Sequence, residues 1–228
     1  MKKRKKENLK FSANNVIILE GTVETEFKYD HYFENQGFYV FTIASRRPSG
    51  TSDYIQCSVN KSVIGKKQNL IGKKVRIIGK FNSYGDYING KRRKLYQVVV
   101  LSLEIIPEKE VDENKIILLG KVLNTSKVKT TSSGRNVENI QVSIRNNSGK
   151  NNSFPVVIWK DLVEDDRKIK PEMHIKIAGR IEAKKGTILD SKGNLINFYK
   201  VVTKKVDFIK SDMILLWKVN WAEGTIKI

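Results

Sequence analysis

Apolar and polar residues alternate with period two over short stretches of this chain, and few segments keep the 3.6-residue rhythm of a long helix. The β-branched runs are separated by Gly, Asn, Ser and Lys, the pattern of strands joined by turns. Several runs occur twice. Asn15–Gly21 (NVIILEG) matches Asn114–Gly120 (NKIILLG), Val75–Gly79 (VRIIG) matches Ile175–Gly179 (IKIAG), and Leu95–Val100 (LYQVVV) matches Phe198–Thr203 (FYKVVT). The pairs lie 99, 100 and 103 residues apart in the same order, which indicates an internal duplication. Period-two strands in each copy predict an antiparallel barrel with one face turned inward and one outward.

The division falls where Pro107 ends the apolar run Val98–Ile106. The segment PEKEVDE that follows is too polar to pack, and its shortness predicts two barrels that do not tumble independently. The chain then divides into a basic arm (1–12), a first barrel (13–107), a linker (108–113), a second barrel (114–210) and a C-terminal segment (211–228). Ser62–Leu70 and Lys160–Ile169, between the third and fourth strands of each copy, are the places for short helices. The fold class is all-β.

Charge adds a partner class. The 228 residues carry 43 Lys and Arg against 24 Asp and Glu, a net charge of +19. Of these, 20 basic and 9 acidic residues lie in 1–107, so both halves are basic, by +11 and +8. A field of that sign attracts polyanions, and counterion release favours nucleic acid. Ribosomes and acidic membranes are the other surfaces it suits. A lone cysteine, Cys57, excludes an intrachain disulfide and reads as a small buried apolar residue. No apolar run approaches the ~18 residues of a membrane helix. The basic N-terminus lacks the apolar stretch of a secretory leader, and the expected location is the cytoplasm.

The order of motifs resembles the DNA-binding domain of bacterial single-stranded DNA-binding proteins. In the second copy NKIILLGKV is followed by SGRNVENIQVSI (133–144), FPVVIWK (154–160), MHIKIAGRI (173–181) and FYKVVTKKVDFI (198–209). In the first, FYVFTIASRR (38–47), DYIQCSV (53–59), VRIIGKF (75–81) and LYQVVVLSLEII (95–106) keep the same order. The resemblance implies two tandem OB folds, five-stranded Greek-key barrels with short helices and β-hairpin extensions. It also implies single-stranded DNA as partner, bound in an electropositive groove lined with stacking rings. A homodimer would present four OB folds, and replication or recombination proteins are possible partners. Members of the family usually end in a flexible spacer with an acidic tip. This chain ends SDMILLWKVNWAEGTIKI, so recruitment through such a tip does not carry over.

Strand binding needs cations that follow phosphates and flat rings for bases. The hairpin FNSYGDYINGKRRKL (81–95) holds both: Tyr84 and Tyr87 precede an Asn89-Gly90 turn, and Lys91, Arg92, Arg93 and Lys94 follow it. A solvated hairpin with a charged edge is the plainer alternative. Arg46 and Arg47 end the strand FTIAS, where the resemblance puts groove cations. Tyr54 falls at a stacking position of the family, and Gln56 and Ser58 share its face by alternation. In the second copy Trp159, with Lys160 beside it, falls at a family stacking position, and Arg145 ends VSI; Phe154 is one residue out of register and suits the core. Lys184 and Lys185 precede Gly186, with no ring until Phe198. The first barrel is therefore expected to dominate affinity, the second binding weakly or serving assembly. The aromatic stretch FKYDHYFENQGF (27–38) reads equally as a stacking surface or a packed loop. Trp217 and Trp221 share a face if the C-terminal segment is helical.

Catalysis finds no support. His31 and His174 are the only histidines, one cysteine makes no zinc site, and Gly72-Lys73-Lys74 lacks the spacing of a phosphate loop. Glu164, Asp165 and Asp166 sit beside Arg167 and Lys168, as on a solvated helix face. No metal or cofactor is expected. The alternative class is an OB-fold assembly protein, or an RNA-binding module, of a replication, conjugation or translation complex.

Overall fold

The computed structural model describes residues 14–65, 69–146, 149–163, 168–189 and 195–209, with backbone alone at 185–189 and 195. The basic arm and the C-terminal segment with its two tryptophans lie outside the described residues, as do Glu164–Arg167. Twelve strands dominate the described chain. The first six are β1 (Asn15–Val23), β2 (Lys28–Phe33), β3 (Gln36–Arg46), β4 (Ser52–Asn60), β5 (Lys74–Ile88) and β6 (Lys91–Ile105). They are followed by β7 (Asn114–Thr125), β8 (Lys129–Thr130), β9 (Asn136–Arg145), β10 (Asn151–Trp159), β11 (His174–Leu189) and β12 (Leu195–Ile209).

Strand pairing closes two rings. β1 pairs with β3 and β5, β5 with β6, β6 with β4 in parallel, and β4 with β3. The second ring repeats this with β7, β9, β10, β12 and β11. Each is a closed five-stranded barrel with the order expected of an OB fold, so no edge is left within the ring. β2 and β8 lie outside the rings, pairing only with β3 and β9.

Of the two segments expected to be helical, the described residues show the start of each, 66–68 and 164–167 lying outside them. Between β4 and β5 the chain makes one turn, α1 (Lys61–Ile64), capped by the Asn60 side chain on the Ser62 amide, and Gly65 ends it at φ 57°. Its counterpart is a 3-10 turn, Lys160–Leu162.

Two residue types repeat because the barrel geometry needs them. Gly79 and Gly179 sit where the β5–β6 and β11–β12 ladders each skip one residue. A Cβ there would come within 2.4 Å of the Val99 carbonyl oxygen and 2.3 Å of that of Val202, so the bulge excludes every other residue. Asn15 takes the Phe81 amide (3.0 Å) and donates to its carbonyl (2.7 Å); Asn114 does the same for Ile181 (3.0 and 2.9 Å).

The barrels are joined by a ladder. β1 runs antiparallel to β7, from Asn15 opposite Leu118 to Leu19 opposite Asn114. Ile17 faces Ile116, its own counterpart in the repeat, so the junction has a local twofold axis at that pair. One apolar core spans both rings. Phe81 of β5 stacks on Phe154 of β10 (5.0 Å) and meets Tyr199 of β12 edge-on (6.3 Å).

The segment between the barrels is not the unpacked stretch that its polarity predicted. Asp112 is buried, accepts from the Arg46 amide (2.8 Å), and pairs with the buried Lys74 ammonium (2.9 Å). Glu20, also buried, takes Arg76 and Lys109 (both 2.8 Å) and the Glu113 amide (3.0 Å). Polar groups pack here because each finds an opposite charge or a main-chain partner.

Candidate nucleic-acid interface

β5, β6, β11 and β12 are 15 or 16 residues long, far more than a small barrel spans, so their outer halves project as hairpins. Asn89 (φ 49°) and Gly90 (φ 72°) make the tight two-residue turn expected of the first hairpin. The hairpins lie across the junction from their own barrels. Lys94 Nζ donates to Ser153 Oγ on β10 (2.7 Å), and Asn197 Nδ2 donates to the Tyr54 carbonyl on β4 (3.0 Å). Each thus flanks the outer wall of the other barrel.

The outer wall of the first barrel is built by β3 and β4. Along it Phe41, Ile43, Ile55 and Cys57 turn inward and are buried, and burial drives the Cys57 thiol pKa well above its ordinary value. The alternate residues face out: Phe38, Val40, Thr42, Ala44 and Arg46 on β3, with Tyr54 and Gln56 on β4. Tyr54 is exposed (44%), Gln56 half-buried, and Ser58 buried. No carboxylate projects from this wall among the described residues. Past Gln56 the edge of β4 is not open, because the Gln56 amide donates to the Tyr199 hydroxyl (3.0 Å). Burial pushes the Tyr199 phenol up to about 12.

Arg46 is exposed at the end of this wall, whereas Arg47 is spoken for. Its guanidinium forms a two-pronged pair with Asp53, a fully buried carboxylate, with Nε at 2.6 Å, and its Nη1 lies 3.5 Å from Glu182. That hydrogen bond and charge, against the burial that opposes them, raise the Arg47 pKa further. Arg47 therefore ties the first barrel to the second hairpin.

The first hairpin has two dissimilar faces. Tyr84, Asp86, Ile88, Lys91, Arg93 and Leu95 share one, by cross-strand pairing. There Tyr84 packs against a cluster of Ile88, Leu95 and Ile196, the last from the second hairpin. Tyr87, Arg92 and Lys94 share the other face, with Tyr87 62% exposed and Arg92 directly opposite it. All four cations of the hairpin are exposed.

In the second barrel Trp159 is half-buried at the end of β10, with the Arg135 guanidinium 4.1 Å over its ring. Arg135 also pairs with Asp161 (2.7 Å). Lys160 lies 3.6 Å from Glu138, and Arg145 is exposed at the end of β9. Phe154 is core. Lys184 is exposed and faces Phe198 across the ladder; the Lys185 side chain lies outside the described residues.

The aromatic stretch at 27–38 forms a hairpin of its own. Glu34 and Asn35 turn with positive φ (47° and 59°), and a bulge at Asp30 shifts the register. His31 stacks flat on Phe38 (5.0 Å, 1°) on the outward side, continuous with the Tyr54 wall, while Tyr29, Tyr32 and Phe33 are exposed. Phe198, 55% exposed, is the other ring that sequence reasoning left unassigned. The density of rings in 27–38 was the signal for the first. Among the described residues no helix is long and apolar enough to cross a membrane, and no His, Cys, Asp and Glu group is placed to hold a metal.

No family model matches the chain, and no curated protein matches it. Among solved structures, a deletion mutant of the single-stranded DNA binding protein from Thermus aquaticus matches with TM-score 0.67 at 14% identity, covering 87% of this chain and 95% of that one. The wild-type protein matches with TM-score 0.66 at 14% identity, covering 86% and 93%. The N-terminal domain of PriB from Thermoanaerobacter tencongensis is 28% identical over 42% of this chain and 99% of its own, with TM-score 0.36. The two Thermus likenesses run through both rings and show that this chain shares their fold.

Proposed function

We propose that this chain binds single-stranded DNA without catalysis and with little base preference. The observation that carries the reading is the outer wall of β3 and β4. It presents an exposed tyrosine, Tyr54, on a surface free of carboxylates among the described residues, bounded by Arg46 and by a hairpin from the second barrel. Bases stack on rings whatever their identity, and phosphates follow the cations. The fold shared with the Thermus single-stranded DNA binding protein supports the same reading.

In this reading Tyr54 and Tyr87 are the main stacking rings, with Trp159 offering the ring face that Arg135 leaves open. Gln56 lines the wall. Arg46, Lys91, Arg92, Arg93, Lys94, Arg145, Lys160, Lys184 and Lys185 follow the phosphates. Arg47 and Tyr84 support the wall and the hairpin from behind. Protection of strands during replication, recombination or repair, pairing of two chains into a four-barrel particle and a cytoplasmic location are the finer parts of the proposal, and they rest on the sequence resemblance.

The test is a fluorescence titration with oligo-dT of increasing length at low and high salt, beside duplex DNA and single-stranded RNA. Tight, salt-sensitive binding of oligo-dT with weak duplex binding is expected, and the length at saturation gives the site size. Equal affinity for duplex or RNA would leave an OB pair turned to RNA or to assembly.

A further inference from the structure

The repeat makes the protein its own control, because each corner of the inter-barrel junction has a counterpart related by the local twofold axis. At one corner Arg46, Arg47 and Arg180 meet Asp53, Glu182 and Glu113. Arg47 pairs with Asp53 and Glu182, Arg180 pairs with Glu182, and Glu113 is held by Arg76 at 3.1 Å. Each of the three carboxylates thus has a cation of its own chain, Lys200 adding to Glu182 at 3.2 Å.

At the opposite corner every one of those acids is an amide. The strand registers place Asn152 where Asp53 stands, Asn82 where Glu182 stands and Asn14 where Glu113 stands. Two cations remain. Lys80 takes the place of Arg180, and Arg145 that of Arg46, while Asn146 replaces Arg47. Lys80, Arg145, Asn14, Asn15, Asn146 and Asn152 line a small cleft, open to solvent, between the barrels. Among the described residues neither Lys80 nor Arg145 forms an ion pair. The amides are already oriented: Asn14 Nδ2 donates to the Arg145 carbonyl (2.9 Å), Asn152 Nδ2 donates to Asn82 Oδ1 (2.7 Å), and Ser83 Oγ donates to Asn152 Oδ1 (3.3 Å).

We propose that this cleft is a phosphate-binding site, and that its occupant is a phosphodiester of a strand passing from one barrel to the other. Among the described residues the half-buried Lys80 ammonium and the Arg145 guanidinium line this cleft with no carboxylate, whereas Arg180, the counterpart of Lys80, has Glu182 from within the chain. Burial lowers the Lys80 pKa, as expected of a cation that has lost water and gained no partner. A bound phosphate would reverse that shift. Amide linings suit the ligand because they carry donors without repelling it, whereas carboxylates at the same three positions would exclude it. The site itself stands on geometry; the identity of its occupant rests on the strand-binding reading.

The experiment uses the full chain, with NMR of the lysine side chains assigned through Lys80→Arg and with oligo-dT titrations across a salt series. Oligo-dT and inorganic phosphate are added separately. The expected result is that oligo-dT moves the Lys80 signal and raises its titration midpoint. Lys80→Gln should lower the salt slope of oligo-dT binding by about 0.7, the share of one phosphate contact on a single strand, and Lys80→Arg should restore it. Asn152→Asp, which imports the acid of the other corner, should raise the Lys80 midpoint without ligand and weaken oligo-dT binding. This second variant keeps the test open if Lys80→Gln folds poorly. Movement with inorganic phosphate but not with oligo-dT would uphold an anion site and overturn its occupant, even if the chain bound no DNA at all. Tight oligo-dT binding with an unmoved Lys80 signal and an unchanged slope would overturn the site and leave the proposed function standing. A Lys80 signal indifferent to both ligands overturns the proposal outright.

Discussion

Ile17 and Ile116 lie directly opposite each other at the centre of the β1–β7 ladder, each the counterpart of the other in the repeat. Both are buried, and both belong to the core that runs through the two barrels. A junction of this kind makes each barrel part of the other's interior. The chain should therefore unfold in one step, with circular dichroism and fluorescence tracing the same denaturation curve. Ile17→Ala or Ile116→Ala should each cost about 2–5 kcal/mol and shift the whole transition. A variant whose curve splits into two steps would show that the barrels are stable separately.

Tyr54 and Tyr84 are both read from the sequence as stacking rings, yet they differ in surroundings. Tyr54 stands on the outer wall, while Tyr84 packs on Ile88, Leu95 and Ile196. Tyr54→Ala should weaken oligo-dT binding by about 1–3 kcal/mol and leave the denaturation midpoint nearly unchanged. Tyr84→Ala should do the reverse, lowering the midpoint first. Equal losses of affinity without loss of stability would refute the distinction.

The contrast marks what could be read from the chain alone. Strand periodicity and the doubled motifs carried the two barrels, because alternation and spacing are local properties. The Asn89-Gly90 turn was legible for the same reason. Which face of the first hairpin meets solvent was not, since that depends on Ile196, more than a hundred residues away. Arg47 reads as a groove cation until the fold brings it to a buried Asp53. Asp112 reads as solvated for the same reason, its partner Lys74 being distant in sequence. The acid-to-amide exchange at the junction was present in the sequence, but only the strand registers show which positions correspond.

Arg47 offers a sharper test of that pairing. Removing it strands a fully buried carboxylate, so Arg47→Ala should destabilise the fold by about 3–5 kcal/mol at neutral pH. Adding Asp53→Asn should recover much of the loss, since it removes the stranded charge and copies Asn152 of the other corner. Both variants are compared by chemical denaturation. A mild loss for Arg47→Ala together with a large loss of oligo-dT affinity would return the residue to the groove.

Acid should loosen the junction through Glu20. Burial alone would raise its carboxyl pKa, but the Lys109 hydrogen bond, the Glu113 amide and the charges of Lys109 and Arg76 outweigh it, and the net shift is downward. A carboxyl depressed by folding contributes stability that is fully present above its unfolded pKa, near 4.3, and is lost as pH falls through the folded value. Denaturation midpoints measured from pH 6 to pH 3 should therefore fall less steeply for Glu20→Gln than for the unaltered chain. Glu20→Gln should also start lower at pH 6, because Arg76 and Lys109 lose their common partner. Parallel curves would remove Glu20 from the account.

The two faces of the first hairpin predict a specific pattern of coupling. Tyr87 and Arg92 are directly opposite on one face, and Arg92 lies over Gly85, where an added Cβ would meet its Nε at 2.9 Å. Arg93 is paired with Asp86 across the ladder and projects from the other face, with Tyr84. A strand held by a ring and the cation beside it uses both at once, so removing either should weaken the other's contribution. A double-mutant cycle of Tyr87→Ala and Arg92→Gln on oligo-dT affinity should therefore show coupling of at least about 0.5 kcal/mol. The cycle of Tyr87→Ala and Arg93→Gln should be additive within about that margin. Each cation variant should lower the salt slope by about 0.7 for oligo-dT and oligo-dA alike, since phosphate contacts carry no base identity. Coupling of Tyr87 with Arg93 but not with Arg92 would mean that the strand runs along the Tyr84 face, and the assignment of the interface on this hairpin would have to be reversed.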